Sequence, residues 1–371
     1  MLSEDKLHEM MDFCVSVTER NTEKFFADFP YAQSTDYVYH PSHGKEWTDG
    51  FWCGMLALSY EYTKKKIFRD TLENLNKILK KRIEEKYEVN HHDMGFIYSL
   101  SNVAEYKLFK SETAKKTALE AAEHLIGRYH EKGEFIQAWG DIDDPASYSL
   151  IIDSLLNLPL LFWASGVSGN VKYAHIAKKH LKTVLQYVVR EDGTTFHRYS
   201  FDFYTGKPIA GMTAQGFSDN SCWARGQAWG VCGTALCYAY TKDNSLLHTF
   251  RKLTDRFVSM LPEDGIPYWD MIFSDGSNEP RDTSSAAIAI CGILEMNKYF
   301  PDERYSAAAE KMLVTLYEKY SAIKKPETNV ILTDAMYSRP AGHKPEAAIY
   351  GDYFFMEALM RQINKDWKMY W

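Results

Sequence analysis

Glycine and proline are scarce in this chain. They account for 21 and 12 of its 371 residues, about 9% together against roughly 12% in average usage. That shortage argues against a turn-rich all-β chain, a collagen-like chain and a disordered one. A basic excess is missing too: the formal net charge is −7, whereas a nucleic-acid binder or a protein resting on an anionic membrane needs a cationic face. No run reaches 18 uninterrupted apolar residues, so no membrane span is expected. Residues 1–13 carry Glu4, Asp5, Glu9 and Asp12 and lack the apolar core of a secretory signal. The six cysteines (Cys14, Cys53, Cys222, Cys232, Cys237, Cys291) form no CxxC and stand in apolar surroundings. Buried, reduced thiols and a cytoplasmic protein are the expectation. Also absent are the G-x-S-x-G of a serine nucleophile elbow and the H-x-x-x-H of a helical zinc site, so neither a serine triad nor a metal is expected.

Aromatic residues, by contrast, are plentiful: 20 Phe, 9 Trp and 25 Tyr make up 15% of the chain. Apolar residues reach 45%, ample for a core. At roughly 150 residues per domain the length allows two or three domains, or one large toroid or barrel. No linker or shift in composition divides it, so residues 1–371 are expected to form one domain.

Two kinds of helix alternate along the chain. The first is amphipathic and charged. In 244–260, Leu246, Leu247, Phe250, Leu253, Phe257 and Met260 form one stripe, with Arg251, Lys252, Asp255 and Arg256 on the remainder. Asn244 or Ser245 is placed to cap it, and Pro262 to stop it. Segments 5–26, 65–85, 112–130, 171–190 and 302–320 are alike. The second kind is apolar on most faces, rich in small residues and hence buried: 47–62, 93–106, 153–165, 225–240, 284–299 and 350–363. Six charged–buried pairs at uneven spacing suit a closed (α/α)6 barrel, a toroid of six helical hairpins in an all-α fold, better than a solenoid of equal repeats. One stretch departs from helix. His197, Tyr199, Phe201 and Phe203 alternate with polar residues before a turn at 204–207, which predicts a short β-ribbon bringing His197 to the mouth of a cavity.

The buried segments open on polar residues: Asp49 after Trp47, His92 and Asp93, Asp153, Arg225 ahead of Trp229, and Asp352. If the inner helices run in one direction, these starts gather at one end as a pocket of aromatic rings, carboxylates, Arg and His, the make-up of a carbohydrate site. Each has an ordinary alternative. Asp93 and Asp153 stand where helix N-caps stand. Asp153, however, is flanked by Ile151, Ile152, Leu155 and Leu156, surroundings that raise a carboxyl pKa toward that of a general acid. Arg225 and Trp229, four apart, read either as a structural ion pair stacked on an indole or as a two-pronged carboxylate grip beside a stacking ring. Trp47, Trp52, Trp139, Trp163 and Trp269 suit core as well as site, and His197 and Gln215 suit solvent as well as site.

Six motifs carry a family resemblance. WTDGFW (47–52), HHDMGF (91–96), QAWG (137–140), IIDSLLNLPLLFW (151–163), WARGQAWG (223–230) and YGDYFFMEAL (350–359) closely resemble, in order, the unsaturated glucuronyl hydrolases of glycoside hydrolase family 88. The resemblance implies an (α/α)6 barrel acting on unsaturated uronyl disaccharides of chondroitin, hyaluronan or heparin, with no cofactor and no metal, as a monomer or weak homo-oligomer. It also implies hydration of the C4=C5 vinyl ether of a nonreducing uronate, rather than direct displacement by two carboxylates. Asp153 then resembles the general acid and base, and Asp93 its partner. Trp47, His92, Trp139, His197, Gln215, Arg225 and Trp229 resemble the substrate-binding residues. Before the GDY motif the stretch 339–346 lacks the serines of members that prefer sulfated chondroitin; it carries His343, Lys344 and the acidic Glu346 instead. The alternatives are the related unsaturated rhamnogalacturonyl hydrolases, a sugar 2-epimerase on the same toroid (which needs paired axial histidines) and a noncatalytic carbohydrate-binding scaffold.

Overall fold

The computed structural model describes residues 2–371. Charged helices α1 (Glu4–Phe25), α3 (Lys66–Glu84), α6 (Glu112–Ile126), α8 (Val171–Val188), α10 (Ser245–Ser259) and α12 (Glu303–Tyr320) form an outer layer. The inner layer comprises α2 (Asp49–Thr63), α4 (Met94–Tyr98) continued through a π turn at Ser99–Val103 into α5 (Ala104–Phe109), α7 (Leu158–Ser168), α9 (Ala224–Thr241), α11 (Thr283–Asn297) and α13 (Ile349–Ile363). Each inner helix packs on the next, and α13 packs back on α2. The ring is therefore closed: an (α/α)6 barrel.

The outer helices bury one stripe only. In α10 this is Leu246, Phe250, Leu253 and Phe257; the cap comes from Asp243, whose Oδ1 accepts the Ser245 N–H at 2.9 Å, and not from the side chains of Asn244 or Ser245. Asn170 and Asp302 cap α8 and α12 with their own side chains. The inner helices bury nearly every residue of their first three turns, as in α9 and α11.

Close approach sets the direction of the inner helices. A Cβ on Gly50, in the first turn of α2, would lie 2.1 Å from the Phe96 carbonyl in the first turn of the next inner helix. One on Gly95 would lie 2.3 Å from Cα of Asn157, just before α7. Successive inner helices thus start side by side, at one end of the ring. Connections at the opposite end are two to five residues long, while those at the starting end run from 9 to 35. Long loops carry variable chemistry, so the starting end is where a site belongs.

Two small sheets sit among those loops. β1 (Tyr129–His130) pairs with β2 (Phe135–Ile136), and β3 (Ser149–Ile151), β4 (Arg198–Phe201) and β5 (Pro208–Met212) form an antiparallel three-stranded sheet. The expected ribbon is the β4–β5 hairpin, its turn held by Asp202, which accepts the Thr205 N–H at 2.8 Å. The third strand comes from a segment read as the approach to a helix. Ile151 pairs with Arg198, Ile152–Leu156 form a 3₁₀ turn, and the α-helix begins only at Leu158. The reason is local. Ile151 and Ile152 are β-branched and favour extended backbone, and Pro159 is accepted only in the first turn of a helix. All six cysteines are buried and free.

Candidate active site

Asp93 ends the loop entering α4, and Asp153 lies in the 3₁₀ turn between β3 and α7. Asp93 stands at the N-cap of α4 without making a cap hydrogen bond, and Asp153 is not a cap, since Ile151 and Asn157 hold those positions for the 3₁₀ turn and for α7. The two carboxylates meet instead across one imidazole. His92 Nε2 lies 3.2 Å from Asp93 Oδ1 and 3.4 Å from Asp153 Oδ1. Neither contact is aligned as a hydrogen bond, which leaves both His92 ring nitrogens and Asp153 Oδ1 without one. His91 adds to Asp93 alone, its Nδ1 3.0 Å from Asp93 Oδ2. The His92 side chain is 1% exposed, while Asp93 and Asp153 keep 16% and 14%. The carboxyls therefore face an opening and the imidazole lies behind them.

This arrangement forces the two aspartates apart in proton affinity. Burial disfavours the His92 cation, but Asp93 and Asp153 outweigh it and lift the imidazole to about 9. Burial also works against the Asp93 carboxylate; His92 and His91 overcome that and hold it well below the usual carboxylate range. For Asp153 burial wins. His92 and Arg225 pull the other way, but the charge on Asp93 adds to the upward push, and the group is raised. One buried imidazole serves both carboxyls: it holds Asp93 low, while Asp153 stays raised. The three titrate as a unit, and a pair pushed apart in this way is the signature of an acid with its partner.

The remaining sequence-predicted residues gather here with differing roles. Trp47 is half-buried: its ring stacks on Tyr350 (5.5 Å, 28°) and its Nε1 donates to the Tyr337 hydroxyl at 3.0 Å. Trp139 is half-buried too, bridged to His91 through the backbone and covered by the Arg198 guanidinium at 5.5 Å. His197 lies next to the Asp153 turn, its carbonyl accepting the Ile152 N–H at 3.0 Å. Its Nδ1 accepts the Ala214 N–H at 3.1 Å, which puts the ring proton on Nε2. Burial, with Arg225 and Arg198 nearby, lowers His197 to about 3, so it is a neutral donor.

Arg225 follows the first of its two readings, a structural ion pair stacked on an indole, but the indole is not that of Trp229. Arg225 Nη1 donates to Asp282 Oδ2 (2.9 Å) and the Met336 carbonyl (2.7 Å), and Nη2 to Gln215 Oε1 and the Tyr337 carbonyl (2.6 Å each). Its four terminal N–H groups are spent on the protein, so a two-pronged grip on a substrate carboxylate is blocked in this arrangement. Its guanidinium lies over Trp223, at 4.5 Å, and not over Trp229. Trp229 is buried against Phe96, Tyr350 and Phe354, one layer below the opening.

Two helix-start carboxylates do not join the site. Asp49 pairs with Arg82 at 2.7 Å, and Asp352 accepts the N–H groups of Ile331 and Leu332 and the Tyr39 hydroxyl. Sequence reasoning missed Tyr337 and Asp282, both reached from loops without periodicity. Glu346 is fully occupied by the Ser34 hydroxyl and the N–H groups of Asp36 and Tyr37, while Lys344 is exposed. Among the described residues no group of three or more His, Cys, Asp and Glu is arranged to hold a metal ion.

Comparison with known proteins bears on this geometry. The family model described as Glycosyl Hydrolase Family 88 matches residues 17–367. An unsaturated chondroitin disaccharide hydrolase of Streptococcus pneumoniae is 42% identical over the whole of this chain and 95% of its own length. The crystal structure of the unsaturated glucuronyl hydrolase of Streptococcus agalactiae superposes with a TM-score of 0.97 at 40% identity, covering 100% of this chain and 95% of that one. An Asp-to-Asn variant of the same streptococcal enzyme, complexed with dGlcA-GalNAc6S, matches with a TM-score of 0.89 at 37% identity, over 100% of this chain and 94% of that one.

Proposed function

The chain belongs to glycosyl hydrolase family 88, and we propose that it removes the 4,5-unsaturated uronate from the nonreducing end of glycosaminoglycan-derived disaccharides, with those of chondroitin first. The observation that carries this reading is the single imidazole between Asp93 and Asp153.

Asp153, neutral and facing the opening, gives its proton to C4 of the vinyl ether. Positive charge develops at C5 and the ring oxygen, and the Asp153 carboxylate left behind gains His92 as its counterion. That charge is already in place before reaction, and in many enzymes preorganised charge of this kind supplies more of the rate acceleration than any other effect. The same carboxylate then takes a proton from the water that adds at C5. The resulting hemiketal opens and the glycosidic bond falls apart. Asp93, ionised, accepts hydrogen bonds from sugar hydroxyls and keeps the proton on Asp153. Trp47 and Trp139 offer ring faces, His197 Nε2–H a neutral donor, and Arg225, locked by Asp282 and Gln215, a fixed positive field. Trp229 supports Tyr350 and Phe96 beneath the sugar.

The test is turnover of an unsaturated chondroitin disaccharide, followed by loss of C=C ultraviolet absorbance in heavy water. Deuterium should appear at C4 of the product. Cleavage without deuterium at C4 would rule out hydration.

A further inference from the structure

Behind the Asp153 turn runs a hydrogen-bond chain that reaches no substrate. His180, on outer helix α8, is fully buried. Its Nδ1 accepts the backbone N–H of Ile136 at 2.9 Å, and its Nε2 lies 2.8 Å from Ser154 Oγ. Ser154 Oγ in turn donates to the Ile151 carbonyl at 2.7 Å. The direction of every bond is fixed. An amide can only donate to Nδ1, so the single ring proton sits on Nε2 and points at Ser154, whose own proton goes to Ile151. On the other side of the turn, Asn157 Oδ1 accepts the Phe96 N–H at 3.1 Å, tying it to the helix that follows Asp93. A 3₁₀ turn has poorer internal hydrogen bonds than an α-helix, so its shape depends on such outside anchors.

We propose that His180 and Ser154 are positioning residues: a fixed-tautomer clamp from the outer helical layer that sets the Asp153 carboxyl against His92. The inference rests on the reading of Asp153 as the proton donor. The clamp holds the residue next to Asp153 on one side, and Asn157 holds the far end of the turn. Asp153 itself makes no bond that would locate it, so its 3.4 Å approach to His92 is inherited from the turn.

Three variants separate this from a merely structural role. Ser154→Ala removes the link to the turn and keeps the Ile136–His180 bond. His180→Asn keeps an acceptor where Nδ1 stands and offers Ser154 nothing. His180→Gln places an N–H donor where Nε2 stands. Misplacing a catalytic group by about 1 Å costs up to roughly a hundredfold. Ser154→Ala and His180→Asn should therefore lower kcat about ten- to a hundredfold with KM held within about twofold, and the double variant should be no worse than either alone. His180→Gln should restore kcat to within about threefold of native. Asp153→Asn, run in the same assay, tests the underlying reading: turnover by it would refute Asp153 as the acid. With Asp153→Asn inactive, a native kcat in Ser154→Ala would overturn the clamp. So would equal losses in His180→Gln and His180→Asn that follow their losses in Tm.

Discussion

At the end of the ring where the inner helices finish, Arg361 lies between Glu295 and Glu357, and Lys298 stands 3.1 Å from Glu295. Lys107 donates to the carbonyls of Met369, Tyr370 and Trp371 at 2.8, 3.0 and 3.1 Å. At the end where they start, His92 is, among the described residues, the one imidazole that reaches both Asp93, at 3.2 Å, and Asp153, at 3.4 Å. Both ends bury charge against aromatic rings. A cavity of about 920 Å³ opens beside Lys107, Glu295 and Arg361. The difference lies in the count of cations per carboxylate. Burial pushes Glu295 up, yet Arg361 and Lys298 together bring it down to about 2. Asp153, although it faces an opening, shares one buried imidazole with Asp93 and is raised. Two cations for two carboxylates hold Glu295 low; one imidazole between two leaves Asp153 raised.

That contrast can be broken at its sharp end first. Asp153→Asn should lower kcat by about a thousandfold or more, within the range of general acid catalysis, measured as loss of C=C absorbance. Asp93→Asn should cost about a hundredfold. It leaves His92 to Asp153 alone, which favours the Asp153 carboxylate and moves the alkaline limb of the kcat/KM profile to lower pH. At the other end, Glu295→Gln takes away one of the two carboxylate partners of Arg361 and leaves it Glu357; it should cost about 1–3 kcal/mol of stability, read as a lower Tm, with kcat of the folded protein within about twofold. The smallest effect is on the pH dependence of Tm. His92 is raised from 6.5 to about 9 in the folded protein, so its contribution is full below about pH 6.5 and lost as pH climbs through 9. His92→Gln should flatten the fall in Tm across that interval.

The sequence makes one side of the same contrast legible and hides the other. Twelve alternating helices are readable because a stripe such as Leu246, Phe250, Leu253 and Phe257 differs from the all-apolar face of 225–240, and a closed ring follows from six such pairs. Asp153 is singled out by its four aliphatic neighbours, and burial is indeed the main cause of its raised affinity for a proton. What stays hidden depends on which loops meet. The capture of Arg225 by Asp282, 57 residues later, and the Trp47–Tyr337 bond across 290 residues leave no periodic trace. The strand at Ser149–Ile151 is hard to see for a related reason: its local preference becomes a strand when β4 arrives beside it, in a segment whose apolar run suits a buried helix equally well. Asp49 and Asp352 open inner helices as Asp93 and Asp153 do. What sets them apart is their partners: Arg82 holds Asp49, and Tyr39 with the N–H groups of Ile331 and Leu332 holds Asp352.

The claim that one buried imidazole cannot neutralise two aspartates is tested most directly by infrared difference spectroscopy of the free protein at pH 7, native against Asp153→Asn. The account predicts a protonated-carboxyl stretch in the native spectrum that vanishes in the variant. A difference spectrum showing loss of a carboxylate alone, with no protonated carboxyl, would contradict it.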